Sequence, residues 1–185
     1  MKLHVCYNEK NNAATLTVND KVYKCNIGKK GVINSQYKVE GDCKTPTGTY
    51  KILEAYYRED RLPKHIVEQI NTPKKIIQEG SVWADDPNYP DTYNTYREKN
   101  DYPNGQPPFS VESLMREDNL YDLLYEINHN ADRTPGLGSA IFLHIGEKPT
   151  AGCIALNEQD LFELVPQITT DTEISVDIIG YQAMV

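Results

Sequence analysis

The chain has 185 residues, enough for one domain with a real apolar core. Its formal net charge of −8, from 27 acidic against 19 basic side chains, argues against a nucleic-acid footprint. No apolar run is long enough to cross a bilayer, and the four cysteines show no paired Cys-x-x-Cys metal spacing.

Residues 2–6 alternate as a strand, and 14–18 and 22–27 read as two more, with Asn19-Asp20 as the hairpin turn between them. His4 reads as a strand-face residue, and Cys6 and Cys25 as core residues. A basic, glycine-bearing loop over 28–31 leads into a strand at 32–33. A turn-rich crossing over 41–48, which carries Cys43, precedes a strand over 50–55. From Arg58 the character changes. Ile66, Val67 and Ile70 have helical spacing behind Pro63. Residues 85–108 are rich in Pro, Asn, Asp, Tyr and Gly, which predicts a long irregular loop over a cleft. Ser110 predicts the cap of a short helix over 111–117, and 121–128 reads as a strand.

Gly136 and Gly138 then lead into an apolar run, 140–143, that predicts a buried strand. His144 stands at its end. Gly146, Pro149 and Gly152 punctuate a tight reversal, and Cys153 opens a second apolar run. Asn157 to Asp160 has capping-box character, with Leu161, Leu164 and Val165 on one helical face, and 173–179 alternates as a last strand. The expected fold is mostly β, a sandwich or half-closed barrel with a few short helices. The chain is expected to form one domain over 1–185, with 58–130 as an inserted loop-helix region.

Two adjacent strands joined by a short loop would bring His144 and Cys153 together at one sheet end. A thiol within reach of an imidazole is an activated nucleophile, because the base favours the reactive thiolate. The same spacing also fits a small buried cysteine and a satisfied core histidine. His4, His65, His129 and His144 show no metal-ligand spacing.

Four segments in order resemble the L,D-transpeptidase (YkuD-type) catalytic-domain family. They are Gly41-Asp42-Cys43-Lys44-Thr45-Pro46-Thr47-Gly48-Thr49-Tyr50, Trp83-Ala84-Asp85-Asp86-Pro87 with Tyr93-Asn94, Pro135-Gly136-Leu137-Gly138-Ser139-Ala140, and His144 with Thr150-Ala151-Gly152-Cys153-Ile154. The resemblance implies a mostly β catalytic domain without a cofactor. It implies Cys153 as nucleophile and His144 as base, the imidazole being oriented by the backbone carbonyl of Ile145. The amides of Gly152 and Cys153 would receive the oxyanion. The implied substrate is a peptidoglycan stem peptide or muropeptide, cut where an L-centre such as diaminopimelate meets D-Ala. Hydrolysis would make the enzyme an L,D-carboxypeptidase, and transfer an L,D-transpeptidase.

Trp83, Asp85, Asp86 and Asn94 are the next candidates, as a cleft wall whose paired carboxylates would bind an ammonium. The alternative is that Asp86-Pro87 starts a turn and Trp83 packs. Tyr57, Arg58, Thr150 and Ala151 are further substrate-side candidates, and His129 a weaker one. The sequence departs from the family in two places. Ala155 stands where many members carry an arginine, leaving Arg58, Arg133 or Lys44 to replace it, and His144 lies only nine positions before Cys153. No basic region with an apolar core reads as a signal peptide, so a bacterial cytoplasmic and a periplasmic or cell-envelope location both stay open. Two other readings are a catalytically inactive peptidoglycan-binding module and a general cysteine peptidase.

Overall fold

The computed structural model describes residues 1–179. Strands β1 (Lys2–Asn8), β2 (Ala13–Val18) and β3 (Lys21–Cys25) form an antiparallel meander. Their alternation sends Leu3, Val5, Leu16, Val18, Tyr23 and Cys25 inward. Asn19 and Asp20 both take positive φ, 46° and 66°, the conformation that a two-residue hairpin turn matching strand twist requires. The same alternation corrects the reading of Cys6. Val5 and Tyr7 occupy the inside, so Cys6 lies half-buried on the outer face, its Sγ 3.4 Å from His4 Nε2. Cys6 and Cys25 therefore point to opposite faces, and both are free thiols.

Strand β4 (Val32–Asn34) runs parallel to the start of β5 (Thr45–Tyr57), the longest strand. Helix α1 (Lys64–Glu68) follows, burying Ile66, and β6 (Lys74–Ile76) pairs in parallel with the far end of β5. Strands β7 (Ser81–Ala84), β8 (Thr95–Glu98) and β9 (Val111–Ser113) form a separate three-stranded sheet in the order β8-β7-β9. The helix expected over 111–117 is thus a strand at its start. Val111 is β-branched and lies opposite Ala84 in an antiparallel ladder. A helix of two turns nucleates poorly, whereas the ladder gives these peptide groups partners. The Ser110 N–H goes to the Asp86 carboxylate.

Strands β10 (Leu123–Ile127), β11 (Phe142–Ile145), β12 (Ile154–Leu156) and β13 (Glu173–Ile179) complete the main sheet. Helix α2 (Glu158–Leu164) lies between the last two, its Asn157 side chain accepting the Asp160 N–H at 2.9 Å as the capping pattern predicts. The sheet order is β12-β11-β10-β5-β13-β1-β2-β3. Its two ends meet: Asn26, just past β3, and Ala155 of β12 exchange two backbone hydrogen bonds of 2.8 Å. The sheet is a nearly closed barrel, and the mostly β expectation holds. Leu123, Tyr125, Leu143, Ile145, Ile154 and Leu156 fill its interior. The small sheet covers the outer face of β10 and β11, where Trp83, Tyr56, Leu114, Tyr121, Leu124 and Phe142 form a second core. Strand β11 is buried on both faces, which explains its unbroken apolar run.

Candidate active site

Strands β11 and β12 pair in parallel, with Leu143 opposite Ile154 and His144 opposite Ala155. The register puts Cys153 beside Phe142, on the same sheet face as His144 and two residues short of it along the strands. The reversal expected before Cys153 is therefore a crossover, not a hairpin. Its Thr150 exchanges backbone hydrogen bonds of 2.9 Å with Ile27 and Lys29, which carries the chain back to the start of β11. The strands have only four and three residues, so His144 and Cys153 remain neighbours lining one cleft of about 1380 Å³.

The resting sulfur is held by backbone. Cys153 Sγ donates to the Ala140 carbonyl at 3.1 Å and accepts the Phe142 N–H at 3.4 Å. No hydrogen bond joins Sγ to the imidazole among the described residues. His144 Nδ1 lies 2.6 Å from the Ile145 carbonyl, so this nitrogen carries the proton and Nε2 keeps its lone pair. The Tyr121 ring stands edge-on to the imidazole, 5.3 Å between centroids. Burial pushes the Cys153 thiol up to about 12. The Glu112 carboxylate adds to this, and the Phe142 amide and Lys38 ammonium oppose it. Burial takes His144 down to about 4, against the pull of the Ile145 carbonyl. The resting pair is a neutral thiol and a neutral imidazole.

Thr150 shapes the corner beside the sulfur. Its Oγ1 donates to the Cys153 carbonyl at 2.6 Å and accepts the Gly152 N–H at 3.0 Å. The Gly152 amide is therefore occupied, while the Cys153 N–H makes no hydrogen bond among the described residues. Replacing Thr150 by valine is expected to lower kcat about tenfold by releasing both tethers, with Thr150→Ser close to wild type. Steady-state kinetics check this, and a wild-type rate for Thr150→Val would remove the residue from the site.

Trp83 is 2% exposed and stands behind the cleft. It meets Phe142 edge-on at 5.0 Å and donates Nε1–H to Asn94 Oδ1 at 3.0 Å. Asn94 Oδ1 also accepts the Ala140 N–H at 3.1 Å. This holds Ala140, at φ 52°, with its carbonyl against the sulfur. Asp86 accepts the N–H groups of Asn88 and Ser110 and so organises a turn, whereas Asp85 lines the cleft with Oδ1 unbonded among the described residues. Ala151 lines the cleft as well. Tyr57 lies in the barrel core. Arg58 is 5% exposed and held by Asp60 at 2.6 and 2.7 Å and by the Arg116 carbonyl. Neither Tyr57 nor Arg58 lines the cleft, nor do Lys44, Arg133 or His129, whose ring reaches the Leu137 carbonyl.

The cleft also takes side chains that the sequence did not nominate, chiefly Lys38, Glu40, Glu112, Arg116 and Tyr121. Tyr121 O–H donates to Glu112 at 2.6 Å, and burial raises the Glu112 carboxyl. Glu40 accepts from Tyr93 O–H at 2.5 Å and Ser139 O–H at 2.7 Å. The four-residue spacing of Lys38 and Asp42 was the one local hint, and the remainder arrive through the topology. Among the described residues no group of three or more His, Cys, Asp or Glu side chains is arranged to hold a metal ion.

The model of the L,D-transpeptidase catalytic domain (YkuD) matches residues 4–178. No curated protein sequence matches the chain. Among solved structures, L,D-transpeptidase 1 of Mycobacterium tuberculosis is similar at 12% identity and TM-score 0.38, over 95% of this chain and 62% of that one. Bd1075 of Bdellovibrio bacteriovorus is similar at 15% and 0.42, over 94% and 46%. An L,D-transpeptidase from Mycobacterium smegmatis is similar at 12% and 0.39, over 94% and 58%. The chain spans less than two thirds of the length of each of these. Since the family model takes in nearly the whole sequence, the chain belongs to the L,D-transpeptidase (YkuD-type) catalytic-domain family.

Proposed function

We propose that the protein is a cysteine acyl-enzyme acting on the L,D peptide bond of peptidoglycan stem peptides, between a third residue such as diaminopimelate and D-Ala. The observation that carries this reading is the single cleft lined by Cys153 and His144, with the unclaimed Cys153 N–H beside the sulfur. In this reading the entering substrate carbonyl draws the thiol away from the Ala140 carbonyl. Sγ attacks the carbonyl carbon, its proton passes to His144 Nε2, and the oxyanion develops against the Cys153 N–H. The carbon–nitrogen bond then breaks, and the imidazolium returns the proton to the departing amine of D-Ala. A thioester remains. Water resolves it to a tripeptide, and an amine acceptor resolves it to a new peptide bond. Nδ1–H stays on the Ile145 carbonyl throughout, so the ring keeps its orientation without an acidic third member.

Product analysis on a disaccharide tetrapeptide tests the reading. Free D-Ala with tripeptide identifies an L,D-carboxypeptidase, and a 3–3 dimer or D-amino-acid exchange identifies an L,D-transpeptidase. Unchanged substrate after prolonged incubation removes both. One feature favours a second reading, a catalytically inactive stem-peptide-binding module: the resting sulfur is turned to Ala140 and makes no hydrogen bond to His144. Muropeptide affinity that survives Cys153→Ser, with no turnover by the wild type, identifies that case. Cleavage of an all-L peptide identifies a general cysteine peptidase.

A further inference from the structure

The expected arginine after the cysteine is missing, and none of the three residues nominated to replace it lines the cleft. A different cation does. Lys38 is 2% exposed, yet it forms part of the cleft lining with Cys153. An ammonium has three N–H donors. One goes to Asp42 Oδ1 at 2.5 Å and one to the Val39 carbonyl at 3.1 Å. The third has no acceptor among the described residues. Leaving such a donor unmet in a buried setting is unfavourable, so this N–H is available to an acceptor from outside the chain.

Two glycines open the way for this side chain. A Cβ on Gly138 would stand 3.1 and 3.3 Å from Lys38 Cγ and Cε, tighter than ordinary contact. A Cβ on Gly152 would stand 3.9 Å from Nζ. Both residues have positive φ, 99° and 149°, which disfavours any side chain there. The stem therefore threads past Gly138, and the ammonium ends beside Gly152, next to the nucleophile. Two other cationic groups line the cleft: Arg116 is committed to Asp118 through two contacts of 2.7 and 2.8 Å, and Lys148 is exposed to solvent on the loop before Thr150. The Gly152 amide is already taken by Thr150, so among the described residues this corner has one free amide and one free ammonium donor.

We propose that Lys38 is the anion-binding residue of the cleft, its third N–H given to an anionic oxygen of the bound stem peptide. The proposal rests on the acyl-enzyme reading. That oxygen has two sources: the terminal carboxylate of the D-residue that leaves, or the oxyanion formed at the attacked carbonyl. Asp42 fixes the ammonium and tempers its charge, and in turn is fixed by the N–H groups of Val39 and Lys44 at 3.1 and 2.9 Å.

The test compares wild type and Lys38→Met on a disaccharide tetrapeptide ending in D-Ala carboxylate and on the same compound ending in D-alaninamide. With the carboxylate as source, the wild type prefers the acid by about ten- to hundredfold in kcat/KM, mostly through KM, and Lys38→Met loses that preference. With the oxyanion as source, Lys38→Met loses about the same factor in kcat on both compounds and keeps the wild-type preference. Lys38→Arg recovers part of either loss. Lys38→Met within twofold of wild type in kcat and KM overturns the proposal. So does a loss that follows only the folded fraction measured by thermal melting, because a mere loop staple would act that way. If Lys38→Met does not fold, Lys38→Gln, which retains a donor for the Val39 carbonyl, is measured in its place. Wild-type turnover of the tetrapeptide is the control: without it the acyl-enzyme reading fails and the lysine's role with it, and with it an unchanged variant overturns the lysine's role alone.

Discussion

Cys153→Ala is expected to abolish D-Ala release, by at least about 10⁴-fold, while the fold survives. The nucleophile cannot be replaced by water held in the same place, because the acyl-enzyme path needs a covalent sulfur. The structural effect is small by comparison. The thiol makes one hydrogen bond to a carbonyl and accepts one from an amide, and a methyl side chain leaves a gap of one buried sulfur. The expected destabilisation is about 1–2 kcal/mol, or about 2–8 °C in melting temperature for a domain of this size. Mass analysis of the products, beside a melting curve, separates loss of chemistry from loss of fold. Release of D-Ala by this variant at the wild-type rate would mean that the nucleophile lies elsewhere. Generic alkylating reagents are a poor substitute for this test. Cys153 is 7% exposed with its thiol held protonated by burial, whereas Cys6 and Cys43 are more accessible.

His144→Gln is expected to lower kcat by about 10²–10⁴-fold, the range of a lost general base. Its pH dependence gives the sharper result. In the free enzyme His144 sits near 4 and Cys153 near 12. The wild-type kcat/KM is therefore expected to be flat from about pH 5 to about pH 9, without the rise near 6.5 that a solvent-exposed imidazole gives. A clear limb centred near 6.5 would refute the buried neutral pair. The same depression acts on stability. The folded value lies below the ordinary 6.5, so the unfolded chain takes up the proton first. The contribution is whole above 6.5 and is lost as pH falls toward 4, up to about 3 kcal/mol. Melting temperatures at pH 7.5 and pH 5 are expected to differ less for His144→Gln than for the wild type. An equal or larger drop in the variant would place the acid sensitivity in other groups.

Much of the barrel is written in local pattern. The alternation of Leu3, Val5 and Tyr7, the Asn19-Asp20 turn and the apolar run ending at His144 each specify one element without help from the remainder. The Asn157 cap is equally local. What local pattern does not carry is partnership. Whether β12 runs with or against β11 depends on where the crossover docks, and that is settled by Ile27 and Lys29, more than a hundred residues away. For the same reason Val111 follows β7 into a ladder and not its own helical propensity. The site repeats the lesson. His144, Thr150, Ala151 and Cys153 share one stretch, whereas Lys38, Glu40 and Glu112 reach the same cleft from two other segments. Trp83 and Asn94 are recognisable in sequence as a pair, but only their contacts assign them to support of Ala140.

The join between Asn26 and Ala155 has a consequence for motion. It is one of two isolated bridges at this closure, the other joining Gly28 and Thr150, and it lies two residues past the sulfur on a strand of three residues. Elsewhere the cylinder is fastened by ladders of three to seven opposed pairs, seven of them between the first and last strands. Breathing of the wall will therefore begin at this seam, and the residue that moves with it is Cys153. The same give that weakens the closure supplies the play needed for the thiol to swing from its resting carbonyl toward an arriving peptide.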